Sequence, residues 1–135
     1  MDNGHNENGQ RTKLLYSDLT YQLIGLLYKI NDDIGFGQTE KVYCDAFEKL
    51  LKENGTTFKR EYYSPITMDD SVIAKRYFDF LVEDKIIIEF KINDYKYKEV
   101  CSQLFGYLKN SGLKLGIIVR FTKGGVKIKR IPCFY

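Results

Sequence analysis

The chain is 135 residues long, 44% hydrophobic and 29% charged, with a formal net charge of +3; this size suits one domain with one core and leaves no room for a second. Its three cysteines, Cys44, Cys101 and Cys133, are too few and wrongly spaced for a disulfide framework or a zinc site and read as reduced thiols; no apolar run approaches transmembrane length and the N-terminus lacks signal-peptide features, so a cytoplasmic protein without a membrane partner is expected. The single histidine, His5, falls in a polar tail, which excludes nucleophilic triads, His-ligated zinc and histidine general bases and leaves any catalysis to carboxylates, lysines and a metal.

Residues 1–12, rich in Asn and Gly and without apolar period, read as a disordered leader to a single domain over 13–135. Leu19, Leu23, Ile24, Leu26, Leu27 and Ile30 recur at helical spacing and predict an amphipathic helix over 14–30, stopped by Asn31-Asp32-Asp33 and Gly35. After the turn Gly35-Phe36-Gly37 a second helix is predicted over 39–53, its core face made by Val42, Tyr43, Ala46, Phe47, Leu50 and Leu51. Glu40 stands three residues before Tyr43 and seven before Phe47, at the edge of that face; the helix dipole alone also favours an acid there. Asn54-Gly55 ends this helix. The extended stretches 57–63 and 66–68, interrupted by Pro65, suit an edge strand, and Asp69-Asp70-Ser71 is a turn.

The run from Tyr77 to Lys91 places charges inside buried sheet. Two β-branched and aromatic segments, 77–82 and 86–92, flank Glu83-Asp84-Lys85, the pattern of a hairpin with a short polar loop. A loop centred on Asp84 pairs Val82 with Ile86 and sets Asp79 directly opposite Glu89, with Lys91 on the same face. Two carboxylates that close repel each other and lose hydration, which a chelated divalent cation and a neighbouring ammonium would offset; hard, oxygen-binding Mg²⁺ suits one or two carboxylates plus phosphate. The alternative is a solvated face on which Lys91 is their ion-pair partner. A one-residue slip in register would separate Asp79 from Glu89.

After Ile92, Asn93-Asp94 is expected to cap a third helix that runs to Asn110, ends at Ser111-Gly112 and turns Val100, Leu104 and Leu108 to the core. Gln103 and Tyr107 lie four apart on one side, placed either for a site or for bonds to neighbouring backbone. Strands over 115–121 and 126–131 follow, joined by Lys123-Gly124-Gly125; the last has a basic edge at Lys127 and Lys129. The order ααβββαββ predicts an α/β fold, a small mixed central sheet flanked by helices. Residues 1–84 carry 10 basic and 15 acidic side chains, and residues 85–135 carry 11 and 3, a net of +8. A basic half that begins beside the carboxylates suits a polyanion such as nucleic acid, or simply a solvated surface.

Gly37-x-x-Glu40-x-x-Tyr43, Asp79, Glu89-Phe90-Lys91 and Gln103-x-x-x-Tyr107, in this order and each on the expected element, resemble the GxxExxY proteins of the PD-(D/E)XK nuclease superfamily. Tyr62-Tyr63, where a Gln often precedes the Pro, and Arg120, where an Asn is common, depart from that pattern. The resemblance implies a restriction-endonuclease-like core and a metal-dependent nuclease with DNA as the expected substrate. It implies that Asp79, Glu89 and the backbone carbonyl of Phe90 hold Mg²⁺ or Mn²⁺, assisted by Glu40. Lys91 would orient or deprotonate water and stabilise the phosphate, and Gln103 and Tyr107 would position water, Lys91 or substrate. Two other readings stand beside it: a non-catalytic nucleic-acid-binding or protein-interaction module that keeps the fold, and a homodimer formed through the tyrosine-rich surface.

Overall fold

The structure, a computed structural model, describes residues 15–93 and 96–134. The expected leader, His5, the first residue of the predicted first helix (Leu14) and Asp94 of the predicted third cap lie outside them. Helix α1, Ser17–Asp33, buries Thr20, Leu23, Leu27 and Ile30 along one stripe. It runs through Asn31-Asp32-Asp33, the residues expected to stop it, and Lys29 pairs with Asp33 one turn on at 2.9 Å. The chain turns only at Gly35, with φ at +78°. Ile24 and Leu26 flank the stripe and are half-buried. Helix α2, Glu40–Glu53, buries Tyr43, Cys44, Phe47 and Leu51. Val42, expected in the core, is rotated off that stripe and is exposed.

Strand β1, Phe58–Tyr63, leads to a separate two-stranded ribbon of β2, Ile66–Met68, and β3, Ser71–Ala74. The hairpin β4, Tyr77–Val82, and β5, Ile86–Lys91, comes next, then α3, Tyr97–Ser111, β6, Leu115–Thr122, and β7, Gly125–Pro132. The five-stranded sheet has the order β1-β4-β5-β6-β7, with β1 at an edge as Pro65 suggested. Only β5 and β6 are parallel, and α3 makes the crossover that such a pair requires. The restriction-endonuclease-like core is present, but five strands rather than three precede α3. Of the ribbon, β2 and the turn at Asp69-Asp70 match the extended stretch and turn expected there, whereas β3 has no signature in the sequence because it is exposed throughout and carries no core-facing alternation.

Helices α1 and α2 cover one face of the sheet, over Phe80, Val82, Ile86, Ile88, Phe90, Ile117, Val119 and Phe121. Helix α3 covers the other, its Leu104, Tyr107 and Leu108 meeting Phe78, Leu81, Ile87 and Ile118. It starts at Tyr97 after Lys96 (φ +56°), later than the Asn93-Asp94 cap would place it. Val100, expected to face the core, is only half-buried. Gly116 lets α3 approach closely, since a Cβ there would stand 2.7 Å from Leu104 Cδ2. The three cysteines are reduced, with Cys44 and Cys133 buried. Among the described residues no helix is long and apolar enough to cross a membrane.

Candidate active site

The hairpin forms in the register read from its loop: Val82 faces Ile86, Leu81 faces Ile87 and Phe80 faces Ile88. Glu83 and Asp84 take the left-handed conformation, and Glu83 Oε2 accepts from both the backbone N–H and the hydroxyl of Thr57 at 2.7 Å, which ties the turn to the start of β1. Regular pairing then ceases one position short of Asp79 and Glu89. On the other flank, the β1 ladder skips the position between Arg60↔Phe80 and Tyr62↔Phe78, where Glu61 has φ of +51°. Asp79 thus stands where backbone pairing lapses on both sides. Phe78 and Phe80 consequently pack on opposite faces of the sheet.

Side chains take over the missing backbone bonds. The Asp79 N–H donates to Glu89 Oε1 at 2.6 Å, and the Phe90 N–H donates to Asp79 Oδ2 at 2.7 Å. Lys91 Nζ lies 3.8 Å from Glu89 Oε2. Glu40 reaches the same strand end from α2, its Oε2 accepting from the Ile92 N–H at 3.3 Å. The turn before α2 fixes its approach. Gly37 adopts φ of +108°, Thr39 Oγ1 caps Val42 N–H, and the Tyr43 hydroxyl donates to Gly35 O at 2.6 Å and accepts from Gln38 N–H at 3.2 Å. The Tyr43 ring stacks on Phe121 with centroids 4.0 Å apart, so the Gly37-x-x-Glu40-x-x-Tyr43 motif is a brace joining the α2 start to β6.

Burial raises the proton affinity of both acids. Glu89 is pushed up to about 8 by desolvation first and the charge of Asp79 second. Asp79 is raised by desolvation, opposed by the Phe90 N–H bond and reinforced by the charge of Glu40. Cys44, buried beneath the acids, is pushed up to about 12 by desolvation and then by Asp79, which keeps its thiol protonated and inert.

The structure brings Glu40, Asp79, Glu89 and Lys91 together. Gln103 and Tyr107 instead line a neighbouring groove on α3, and among the described residues no hydrogen bond joins them to the acids. Tyr107 touches the site at one remove, its ring centroid 4.6 Å from that of Phe78, the residue before Asp79. Sequence reasoning passed over Arg76, whose guanidinium lies 5.3 Å from the Phe78 ring and 5.2 Å from that of Tyr107, and whose Nε donates to Ser64 O. It also passed over Arg60, which joins Asp45 and Glu48 and helps to draw the Asp79 pKa back down. For Arg76 the available signal was its place just before β4, and for Arg60 its place within the edge strand β1.

As cation donors, Asp79 and Glu89 each spend one oxygen on a backbone N–H and keep the other for a ligand. No three His, Cys, Asp or Glu side chains among the described residues form a metal cluster. Mg²⁺ does not need one, since it binds through one or two carboxylates, a carbonyl, water and phosphate oxygens. The donor chemistry of this pair fits such an ion.

The mixed sheet thus parts around an acid pair, with a lysine two residues beyond. A sequence profile of the PD-(D/E)XK nuclease superfamily matches residues 17–131, and the chain belongs to that superfamily. The crystal structure of SSO0001 is similar in fold, with a TM-score of 0.50 and 21% identity over 90% of this chain. The match spans 59% of the length of SSO0001. No curated protein matches in sequence. The superfamily consists mainly of nucleases, which generally use divalent metals and act on nucleic acid.

Proposed function

We propose that this protein is a divalent-metal-dependent nuclease of the GxxExxY group that hydrolyses phosphodiester bonds in DNA. The observation that carries the reading is the pair of bonds across the parted ends of β4 and β5, from the Asp79 N–H to Glu89 and from the Phe90 N–H to Asp79, with Lys91 3.8 Å from Glu89. Asp79, Glu89, the Phe90 carbonyl and Glu40 would hold Mg²⁺ or Mn²⁺. When bound, that ion supplies an acidified water and neutralises charge building on the phosphate. Lys91, two residues from Glu89 on the same strand, holds the attacking water or takes its proton and contacts the phosphate. The brace of Gly37 and Tyr43 positions Glu40. Gln103 and Tyr107 serve the substrate strand rather than the reacting atoms, in keeping with their place on α3.

The test is cleavage of labelled single-stranded, double-stranded and branched DNA, and RNA, with Mg²⁺ or Mn²⁺, beside Lys91→Ala purified identically. Cutting of DNA by the wild type and not by the variant is the expected result. Equal cutting by both would remove Lys91 from the mechanism. No cutting together with no Mn²⁺ binding in a titration would overturn the reading in favour of a non-catalytic module.

A further inference from the structure

A groove of about 610 Å³ lies between the β2–β3 ribbon and α3, lined by Ile66, Thr67, Lys75, Arg76, Gln103, Tyr107 and their neighbours Gly106 and Asn110. We propose that this groove holds unpaired DNA and delivers a single strand to the Asp79–Glu89 pair. The proposal rests on the nuclease reading above and names its substrate class.

Four observations point the same way. First, the lining contains two cations, Lys75 and Arg76, and no acid, although the ribbon turn just beyond is Asp69-Asp70. The other large cleft, along α2, is lined by Asp45, Glu48 and Glu53 as well as Lys49, Lys52 and Arg60, which are paired with one another. It offers no net attraction to a polyanion. Second, the groove stands one residue from the acids: Tyr107 and Arg76, which line it, both pack on Phe78, the residue before Asp79. Third, outside the groove's lining, Tyr77, which follows Arg76 in the chain, forms an exposed aromatic pair with Tyr63, with centroids 5.0 Å apart and about half of each side chain accessible. Cations together with exposed aromatic rings are the means by which proteins hold unpaired nucleotides without reading sequence. Fourth, the volume falls in the range of roughly 300–1,000 Å³ that takes one small ligand. One or two nucleotides fit it, whereas bases in a duplex stay stacked and paired outside. Gln103 and Asn110 supply amides for base edges or phosphate oxygens.

The proposal is tested by anisotropy with a labelled oligothymidylate and with a duplex of equal length, in EDTA, so that neither metal binding nor cleavage enters. Expected are tighter binding of the single strand and at least tenfold weaker binding by the Lys75→Gln/Tyr77→Ser double variant, both sites being exposed and outside the core. The slope of log affinity against log salt should also fall by about 0.7, because the variant has no ammonium at position 75 to neutralise a phosphate. Arg76→Gln gives the same direction, with a thermal melt to separate weakened packing on Phe78 from weakened binding. Equal affinity for duplex and single strand, or a double variant that binds as the wild type does, would overturn the groove assignment even if the protein cuts DNA. Single-strand binding abolished in the variant, in a protein that does not cut with any metal, would keep the groove and overturn the nuclease reading.

Discussion

Glu89→Gln should stabilise the metal-free protein at pH 8 and leave it unchanged near pH 5. Burial and the charge of Asp79 raise the Glu89 carboxyl from 4.5 to about 8. Across that window the folded chain retains a proton that the unfolded chain has released. Stability therefore falls as pH rises, by at most roughly 1.4 kcal/mol per unit, and levels off above the folded pKa. Gln matches protonated Glu in shape, keeps an oxygen for the Asp79 N–H at 2.6 Å, and does not titrate. Its amide would face Lys91 Nζ, which lies 3.8 Å from the oxygen it replaces, at a cost on the order of 1 kcal/mol. The net gain at pH 8 is about 2–4 kcal/mol, or roughly 10 °C in Tm for a chain of this size. Thermal melts in EDTA from pH 5 to 8.5 measure it. Added Mg²⁺ should then raise the wild type far more than the variant, because an ion bound only by the folded state stabilises that state. Parallel profiles for the two proteins in EDTA would refute the claim that burial loads Glu89.

Asp79→Asn should weaken Mn²⁺ binding in a calorimetric titration and raise stability in EDTA; an unchanged titration would remove Asp79 from the donor set. Lys91→Ala should bind Mn²⁺ as the wild type does while turnover falls at least about a hundredfold, the scale of a lost acid–base group, measured in single-turnover cleavage. Tyr43→Phe removes the hydroxyl shared by Gly35 and Gln38, so it should cost about 1 kcal/mol in urea melts and reduce cleavage by more than its stability loss explains, because Glu40 loses its brace. Gly116→Ala should cost about 1–3 kcal/mol by pushing α3 away through Leu104, with metal affinity unchanged.

The β4–β5 register was legible because a three-residue loop fixes it and β-branched runs marked both strands, but the ladder parts before Asp79 and Glu89, which are not joined as the directly opposed pair that register implied. Helices α1 and α2 were legible from their stripes. The second ribbon strand was not, since Val72 and Ile73 are 54% and 59% exposed and no core imposes a pattern on them. The start of α3 was missed because a polar Asn-Asp pair imitates a cap, whereas the helix enters through Lys96 in the left-handed region. Gln103 and Tyr107 were legible as neighbours on a helix, but spacing along a helix cannot say which end of the sheet they overlook. Arg76 carried no motif at all; two residues before Phe78, it meets Tyr107 and Ser64 O only because the fold brings three segments together.

The lapse in pairing at Asp79 bears on why the site is costly and still forms. Had the β4–β5 ladder continued, the two backbones would satisfy each other and both carboxylates would stand side by side with nothing to accept. Instead each acid accepts one backbone N–H, which lowers the penalty of burying it and fixes its rotamer. The repulsion between the acids is not removed, as Glu89 records: the charge of Asp79 adds to burial in raising it. The fold therefore holds two oxygens, Asp79 Oδ1 and Glu89 Oε2, in a geometry whose strain only a proton or a cation relieves. Lys91 supplies part of that relief from one side, at 3.8 Å, too far for a strong hydrogen bond. A lysine meant only to neutralise the pair would close that distance. On the nuclease reading proposed above, a Lys91 held off Glu89 stays available to water and phosphate, so a change that draws Lys91 onto Glu89 should stabilise the metal-free protein and lower its turnover together.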